Sequence, residues 1–332
     1  MAEDTDNAQK VLSSVLRPLT YWYEQEGIEE IAVNRPGYVW LRFVGRQREF
    51  PWEEQKDPKL TREYLVDLLH IIANSRNQEF DPITGIPVVF SDLPGGRYRF
   101  TGIAGPNVMY DSNDLNGGVA LAVRLLQPGA GLGFADFDLK KGERLRKFNK
   151  LVNVEDPDDP YARLELAIRR GEDILISGGT GTGKTTFLNA MIQLLDEQER
   201  IITLEDVREL VVPQPNHVHL LVSRNTHSND GVFSYKDVFN LITRFTPDVI
   251  IGGEVSKYNA NAFFELSQTG HKNFFATIHA GNPEEAYRAF AGRILEAAPK
   301  LDYEQTLNSL RRSFRVVQIS RSGNLRSVTA IT

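Results

Sequence analysis

Eight consecutive residues, Gly178-Gly179-Thr180-Gly181-Thr182-Gly183-Lys184-Thr185, have the types and spacing needed to hold a triphosphate. They match G-x-x-x-x-G-K-[ST] in full. The glycines let backbone N–H groups curl around phosphate oxygens, and a helix starting there adds its positive dipole end. Lys184 can reach the β- and γ-phosphates, and the Thr185 hydroxyl can hold Mg²⁺. The binding set is therefore Gly178, Gly179, Thr180, Gly181, Thr182, Gly183, Lys184, Thr185 and Thr186. The apolar run Asp173-Ile174-Leu175-Ile176-Ser177 before the loop reads as a buried strand, and Thr186 to Ile192 after it as a helix. A dinucleotide site is disfavoured, because the glycines do not follow G-x-G-x-x-G.

A phosphate loop binds; hydrolysis also needs a group that orients water, a Mg²⁺ shell and charge for the transition state. Three later segments, each at the end of an expected strand, offer candidates. Ile201-Ile202-Thr203-Leu204 ends in Glu205-Asp206, and Glu205 can act on water. Val249-Ile250-Ile251-Gly252-Gly253 ends in Glu254, suited to Mg²⁺-bound or attacking water. Asn273 to Ile278 ends in His279, placed to contact or sense a γ-phosphate, with His271 just before the strand. In a parallel sheet such strand ends gather at one edge, where ligands bind. His217, His219 and His227 show no zinc-ligand spacing. Asp206 has an ordinary alternative as a helix cap. Between Glu205 and Glu254 the residues do not decide which orients water.

The elements that must position these groups fall into two regimes. Up to about Phe137, Val11, Leu12, Val15, Leu16 and Leu19 recur at helical spacing. A hairpin follows over 28–42, turning at Asn34-Arg35-Pro36-Gly37, then a helix over 60–74 and strands over 86–89, 97–103 and 119–126. This is an α+β domain with an antiparallel sheet, taken as residues 1–136. Residues 137–160, with Lys140-Lys141-Gly142-Glu143-Arg144 and Glu155 to Pro160, read as a linker unable to pack a core. From Tyr161 to the end, helices at 161–170, 184–195, 234–244, 258–269 and 283–297 alternate with strands at 173–177, 200–204, 217–222, 248–252 and 273–278, the pattern of a mostly parallel α/β sheet.

Composition bounds the function. The chain has 332 residues, 41% hydrophobic and 25% charged, the balance of a globular protein. Its net charge of −6 disfavours nucleic acid as a bulk partner, and Arg311, Arg312 and Arg315 read as a solvated helix face. With no cysteine, disulfides, thiol catalysis and cysteine-bound zinc are excluded. No apolar run approaches the ~18 residues of a membrane span. The acidic start Met1-Ala2-Glu3-Asp4 does not read as a secretory signal. The 11–19 helix is amphipathic without a lysine-rich face, so membrane contact is peripheral at most.

Together these segments resemble the hexameric traffic ATPases of bacterial type IV secretion and conjugation systems, within the wider secretion-ATPase superfamily. Gly178 to Thr185 is similar to the Walker A box. Thr203 to Asp206 with Glu209-Leu210 is similar to the Asp box, Val249 to Glu254 to a Walker B box ending in Glu, and Gly270-His271 with Thr277 to Ala280 to the His box. The opening hairpin, Ile31 to Trp40, also resembles the family's. The resemblance implies a RecA-like P-loop ATPase domain over 161–332, ATP and Mg²⁺ as cofactors, and a homohexameric ring with ATP held between the two domains. It implies N-terminal arginines that reach the nucleotide, expected at Arg97, Arg99 and Arg124. It further implies a cytoplasmic hydrolase on the inner membrane that drives protein transport and pilus assembly beside other secretion ATPases and a coupling protein. Two positions depart: Thr246 stands where the family has arginine before Pro247-Asp248, and Ser256-Lys257 replaces an arginine after Glu254. Those departures keep open a nucleotide-dependent scaffold. Related type II secretion or pilus motors are a further alternative, although the missing cysteine-rich zinc loop and the Asn34 to Gly37 hairpin favour the type IV branch.

Overall fold

The computed structural model describes residues 2–43, 52–94, 98–111, 117–125, 158–222, 235–322 and 325–332, the side chains of 2–11 and 236 excepted. In chain order the elements begin with α1 (Ala2–Tyr23), β1 (Ile28–Val33), β2 (Tyr38–Phe43), β3 (Trp52–Lys56) and α2 (Arg62–Ser75). Next come β4 (Val88–Asp92), β5 (Tyr98–Gly105), β6 (Val108–Met109) and β7 (Gly118–Leu125). The second half holds α3 (Pro160–Arg169), β8 (Asp173–Gly178), α4 (Lys184–Ile192), β9 (Ile201–Glu205), β10 (His217–Leu221) and α5 (Tyr235–Arg244). It continues with β11 (Val249–Glu254), α6 (Ala260–Ser267), β12 (Asn273–Ile278), α7 (Pro283–Ala297), α8 (Tyr303–Ser313), β13 (Phe314–Ser322) and β14 (Leu325–Ile331).

Two sheets result. The first has the order β3-β2-β1-β7-β5-β4, with antiparallel pairing throughout. Leu12, Leu16 and Leu19 of α1 and Leu65, Leu68, Leu69 and Ile72 of α2 bury against it. The helical spacing of these residues is what makes one apolar face. The second sheet runs β14-β13-β8-β12-β11-β9-β10-β6, parallel from β13 to β10 with antiparallel edges. Continuous apolar runs such as Ile174-Leu175-Ile176 and Val249-Ile250-Ile251 belong to strands covered on both faces. Helix starts are marked chemically. Asp159 caps α3 ahead of Pro160, and Asn282 caps α7 ahead of Pro283.

Both expected regimes are present as α+β and α/β folds. Four elements escaped the sequence reading: β3, α8 and the β13–β14 hairpin; so did β6, which leaves the first half of the chain to pair with β10 at the rim of the second sheet. Asp206 caps no helix, since β9 runs into a loop. Of the expected linker, 137–157 lies outside the described residues, as do Arg97 and His227.

The two sheets meet at a buried polar seam. Arg200, just before β9, is fully buried. Its Nε donates to the Phe245 carbonyl (2.8 Å), and its Nη1 to the side-chain oxygens of Asn34 (2.8 Å) and Asn216 (2.7 Å). Its guanidinium lies 5.2 Å from the Trp52 ring centroid. Burial pulls the Arg200 pKa down to about 10, against the pull of Glu30 and Asp248, so the group stays charged at neutral pH. Glu30 is buried beside it, and that burial raises its pKa. Thr246 donates its hydroxyl to Glu30 (2.5 Å) and holds a left-handed φ of 45°, uncommon for a β-branched residue. Thr246, which departs from the family's arginine, thus serves the carboxylate that Arg200 balances. Removing the guanidinium strips the donor from the buried Phe245 carbonyl and the Asn34 oxygen and leaves the nearby Glu30 uncompensated, and each buried polar group left unsatisfied costs about 1–3 kcal/mol. Arg200→Met should therefore lower the melting temperature sharply, and Glu30→Gln in the same chain should restore part of the loss. A differential scanning measurement on the single and double variants decides it.

At the rim, the Tyr110 ring stacks on His217 (centroids 4.3 Å, 16° between planes). His217 places Nδ1 2.5 Å from the Gln214 carbonyl and Nε2 2.9 Å from the Tyr110 carbonyl. Burial, with His219 and Arg208 nearby, lowers the His217 pKa to about 4 from 6.5, outweighing the two carbonyls. The unfolded chain therefore takes up a proton below pH 6.5 that the folded chain refuses until about pH 4. Stability contributed here is full above pH 6.5 and is lost as pH falls toward 4, by about 3 kcal/mol at 1.36 kcal/mol per unit. Urea midpoints at pH 7, 5 and 4 should fall less steeply for His217→Gln than for the parent chain.

Candidate active site

The phosphate loop sits between β8 and α4, as its sequence context demands. Gly181 and Gly183 take left-handed φ values of 70° and 92°, and Gly183 is the residue that opens α4. Side chains disfavour that conformation, so glycine is what allows the loop to turn its amides inward ahead of the helix. The Thr182 hydroxyl donates to the Gly179 carbonyl (2.9 Å) and braces the turn. Lys184 is buried, with Nζ donating to the carbonyls of Gly178 (3.2 Å) and Gly179 (3.1 Å). Burial lowers its pKa, and the Glu254 carboxylate opposes that shift. Thr185 is half-buried and Thr186 exposed in the first turn of α4.

From β12, His279 turns its Nδ1 to Lys184 Nζ at 3.1 Å. An ammonium can only donate, so Nδ1 accepts and the hydrogen-bond network assigns the ring proton to Nε2. That nitrogen lies 3.5 Å from Glu254 Oε2. Lys184, His279 and Glu254 thus form one connected row at the C-terminal edge of the sheet. Both distal members keep about a third of their surface, 36% for His279 and 35% for Glu254, where a ligand can meet them. The β11–β12 register shifts between Ile251 and Glu254, an irregularity that re-aims the strand end. Thr277 donates to the Gly253 carbonyl (2.7 Å) and Asn259 to the Glu254 carbonyl (2.8 Å), fixing the backbone there.

Glu205 comes close but is occupied. A methyl on Gly253 would lie 3.3 Å from its Cγ, so the two strand ends touch. Glu205 is buried, and Oε1 accepts the backbone N–H groups of Glu209 (2.8 Å) and Leu210 (2.9 Å). Oε2 faces Thr203 Oγ1 (3.4 Å) and His219 Nδ1 (3.6 Å). Of the two candidate carboxylates, Glu254 is the one with an open face, while Glu205 pins the loop behind it.

The N-terminal arginines lie elsewhere. Arg99 lines a 400 Å³ cavity with Arg76, Phe90, Asp92 and Arg244, and the Arg244 guanidinium sits 4.8 Å over the Phe90 ring. Arg124 pairs with Glu29 at 3.3 Å. Arg244 ends α5 just ahead of β11, whereas Glu254 ends that strand. At ~3.3 Å per residue the two edges are about 17 Å apart. Arg99 therefore stands at the sheet edge opposite Lys184 in its own chain. His271 also lies at that edge, beside a 420 Å³ cavity shared with Arg311, Arg312 and Arg315. Two of them are engaged locally: Arg311 pairs with Glu284, and Arg315, on β13 and not on the expected helix face, pairs with Glu172. Lys257, in place of the second missing arginine, is exposed, its Nζ 4.9 Å over the Tyr258 ring.

Two residues beside the loop were missed. Arg321 of β13 donates from Nη1 to the Gly181 carbonyl (3.3 Å), and Arg326 of β14 packs on Gly183. The β-branched residues Val316, Val317 and Ile319 ahead of Ser322-Gly323-Asn324 were the available signal.

A sequence profile described as Type II/IV secretion system protein matches residues 141–292. The type IV secretion system protein PtlH of Bordetella pertussis is 30% identical over 280 residues, covering 82% of this chain and 78% of its own length. The chain belongs to the secretion ATPase family. A VirB11 protein of Rhizobium radiobacter is 29% identical over 290 residues, covering 83% of this chain and 79% of its own. A crystal structure of the VirB11 ATPase from the Brucella suis type IV secretion system, in complex with sulphate, shares the fold. Its TM-score is 0.81 at 24% identity, over 99% of this chain and 96% of that one. Members of this family hydrolyse ATP, and this chain is such an enzyme: a type IV secretion ATPase that binds nucleotide. Among the described residues, no helix is long and apolar enough to cross a membrane.

Proposed function

We propose that residues 178–186, Glu254 and His279 form one MgATP-hydrolysing site whose turnover powers a type IV secretion machine. The observation that supports this most is the row Lys184–His279–Glu254, three side chains from three elements meeting at the phosphate loop. The fit to a metal–triphosphate rests on the donor set: an inward loop at a helix start, a buried ammonium, a hydroxyl at Thr185 and a carboxylate with an open face. Thr185 would hold Mg²⁺, with Glu254 serving the metal through a water of its shell, and the ion when bound supplies charge neutralisation for the phosphates.

The chain's own groups do the rest by position and charge. Lys184 exchanges its carbonyl and imidazole partners for phosphate oxygens. Glu254 orients the attacking water and accepts its proton. His279, released by Lys184, turns its Nε2–H toward the γ-phosphate and reports its loss. Glu205 positions rather than reacts, because its Oε1 already holds the Glu209 and Leu210 amides while Oε2 faces Thr203 and His219.

The working assembly is a homohexameric ring in the cytoplasm at the inner membrane, beside the other secretion ATPases and the coupling protein. The placement of Arg99 and Arg124 away from Lys184 of the same chain supports a ring in which a neighbouring copy brings these arginines to the nucleotide. A mixing experiment tests it. Lys184→Ala chains and Arg99→Ala/Arg124→Ala chains should each be inactive alone and release phosphate from MgATP when combined. No recovery on mixing, with both variants assembled, would contradict the shared site.

A further inference from the structure

We propose that Arg321 and Arg326 of the β13–β14 hairpin form the adenosine-side wall of the nucleotide site, resting on the reading of residues 178–185 as its phosphate loop. The sheet order fixes the direction. The loop follows β8, whose neighbours are β12 on one side and β13 on the other. β12 carries His279, and β11 beyond it carries Glu254, so the γ-phosphate end of a nucleotide lies on that side. Its α-phosphate, ribose and base extend to the other, toward β13 and β14.

Two exposed guanidinium groups stand on that side. Arg321 Nη1 donates to the Gly181 carbonyl at 3.3 Å, tying the hairpin to the loop. Arg326 lies over the start of α4. A methyl on Gly183 would sit 3.2 Å from its Cδ, 3.3 Å from Nη1 and 3.4 Å from Nε. Gly183 therefore serves two ends: its φ of 92° opens the helix, and its missing side chain admits Arg326. A guanidinium there suits the adenosine end of a nucleotide. Its planar fork pairs with the α-phosphate, and its face stacks on a purine. Lysine could supply the charge but neither the fork nor the face. Arg321 is the anchor that places the hairpin, and Arg326 is the contact.

The test uses the full chain and calorimetric titration with ADP, a non-hydrolysable ATP analogue and pyrophosphate, each with Mg²⁺. Arg326→Ala should weaken ADP and the ATP analogue equally, by about tenfold, and weaken pyrophosphate, which lacks the purine the guanidinium stacks on, by clearly less. In steady state it should raise KM while kcat at saturating ATP stays within about twofold. Arg326→Lys should recover only part of the affinity. A loss confined to the ATP analogue, an equal loss for pyrophosphate, or unchanged nucleotide affinity would overturn the assignment. Melting without nucleotide should match the parent chain; if it does not, the Arg326→Lys comparison carries the decision. Lys184→Ala separates the two readings. It should weaken all three ligands, and if it weakens none, the phosphate-loop reading fails instead.

Discussion

Lys184→Ala is expected to lose ATP turnover, with kcat/KM falling at least about 10²–10³-fold. The side chain is buried with its ammonium held by the Gly178 and Gly179 carbonyls and His279 Nδ1, so it is already desolvated and aimed before a nucleotide arrives. A charge in that state loses little further hydration on meeting phosphate, which is why its contribution is large. The lowered pKa points the same way: burial favours losing the proton, and a phosphate dianion would reverse that preference. Phosphate release and nucleotide titration on one preparation measure both effects. Wild-type turnover by the variant would mean that hydrolysis happens elsewhere.

Glu254→Gln should separate binding from chemistry. The amide keeps the size of the side chain and its place beside His279 but cannot accept a proton from water. With kcat reduced about 10²–10⁴-fold, the range for losing a positioned general base, and nucleotide affinity nearly unchanged, the variant should accumulate bound ATP. Single-turnover quench of pre-bound ATP reads this directly. Loss of binding with an unchanged rate per bound nucleotide would move Glu254 from the reacting water to ligand holding. By contrast Glu205→Gln should act through structure, since one carboxylate oxygen already holds two backbone amides. Its effect should therefore appear in stability as well as rate.

The parts of this site written in local sequence were legible. The phosphate loop needs only its own glycines, an apolar strand before it and a helix after it, and all three lie within one stretch. Strand-end carboxylates and a strand-end histidine could be found because a parallel sheet sends its strand ends to one edge. What local sequence cannot show is which oxygen is already in use. Glu205 and Glu254 look alike at a strand end, and only the Glu209 and Leu210 amides distinguish them. Thr246 looked like a lost charge contact. The compensating guanidinium, Arg200, lies 46 residues earlier and reaches the same seam only because β9 and β11 are neighbours. Arg99 and Arg124 sit on strands of the expected sheet, but their distance from Lys184 depends on how the two sheets join, through the β6–β10 rim and the Arg200 seam. The β13–β14 hairpin carries no clean alternation: Val316 to Ile319 are buried in succession and most of β14 is exposed, so its local sequence lacks the period that marks a half-buried strand.

The most direct test of the central claim is a crystal structure of the chain with Mg²⁺ and a non-hydrolysable ATP analogue. The account predicts the terminal phosphate within hydrogen-bonding reach of Lys184 Nζ and His279, the metal shell shared by Thr185, and a water held by Glu254 in line with the terminal phosphorus. A nucleotide bound away from residues 178–185, or a terminal phosphate with Glu254 and His279 turned from it, would contradict the account.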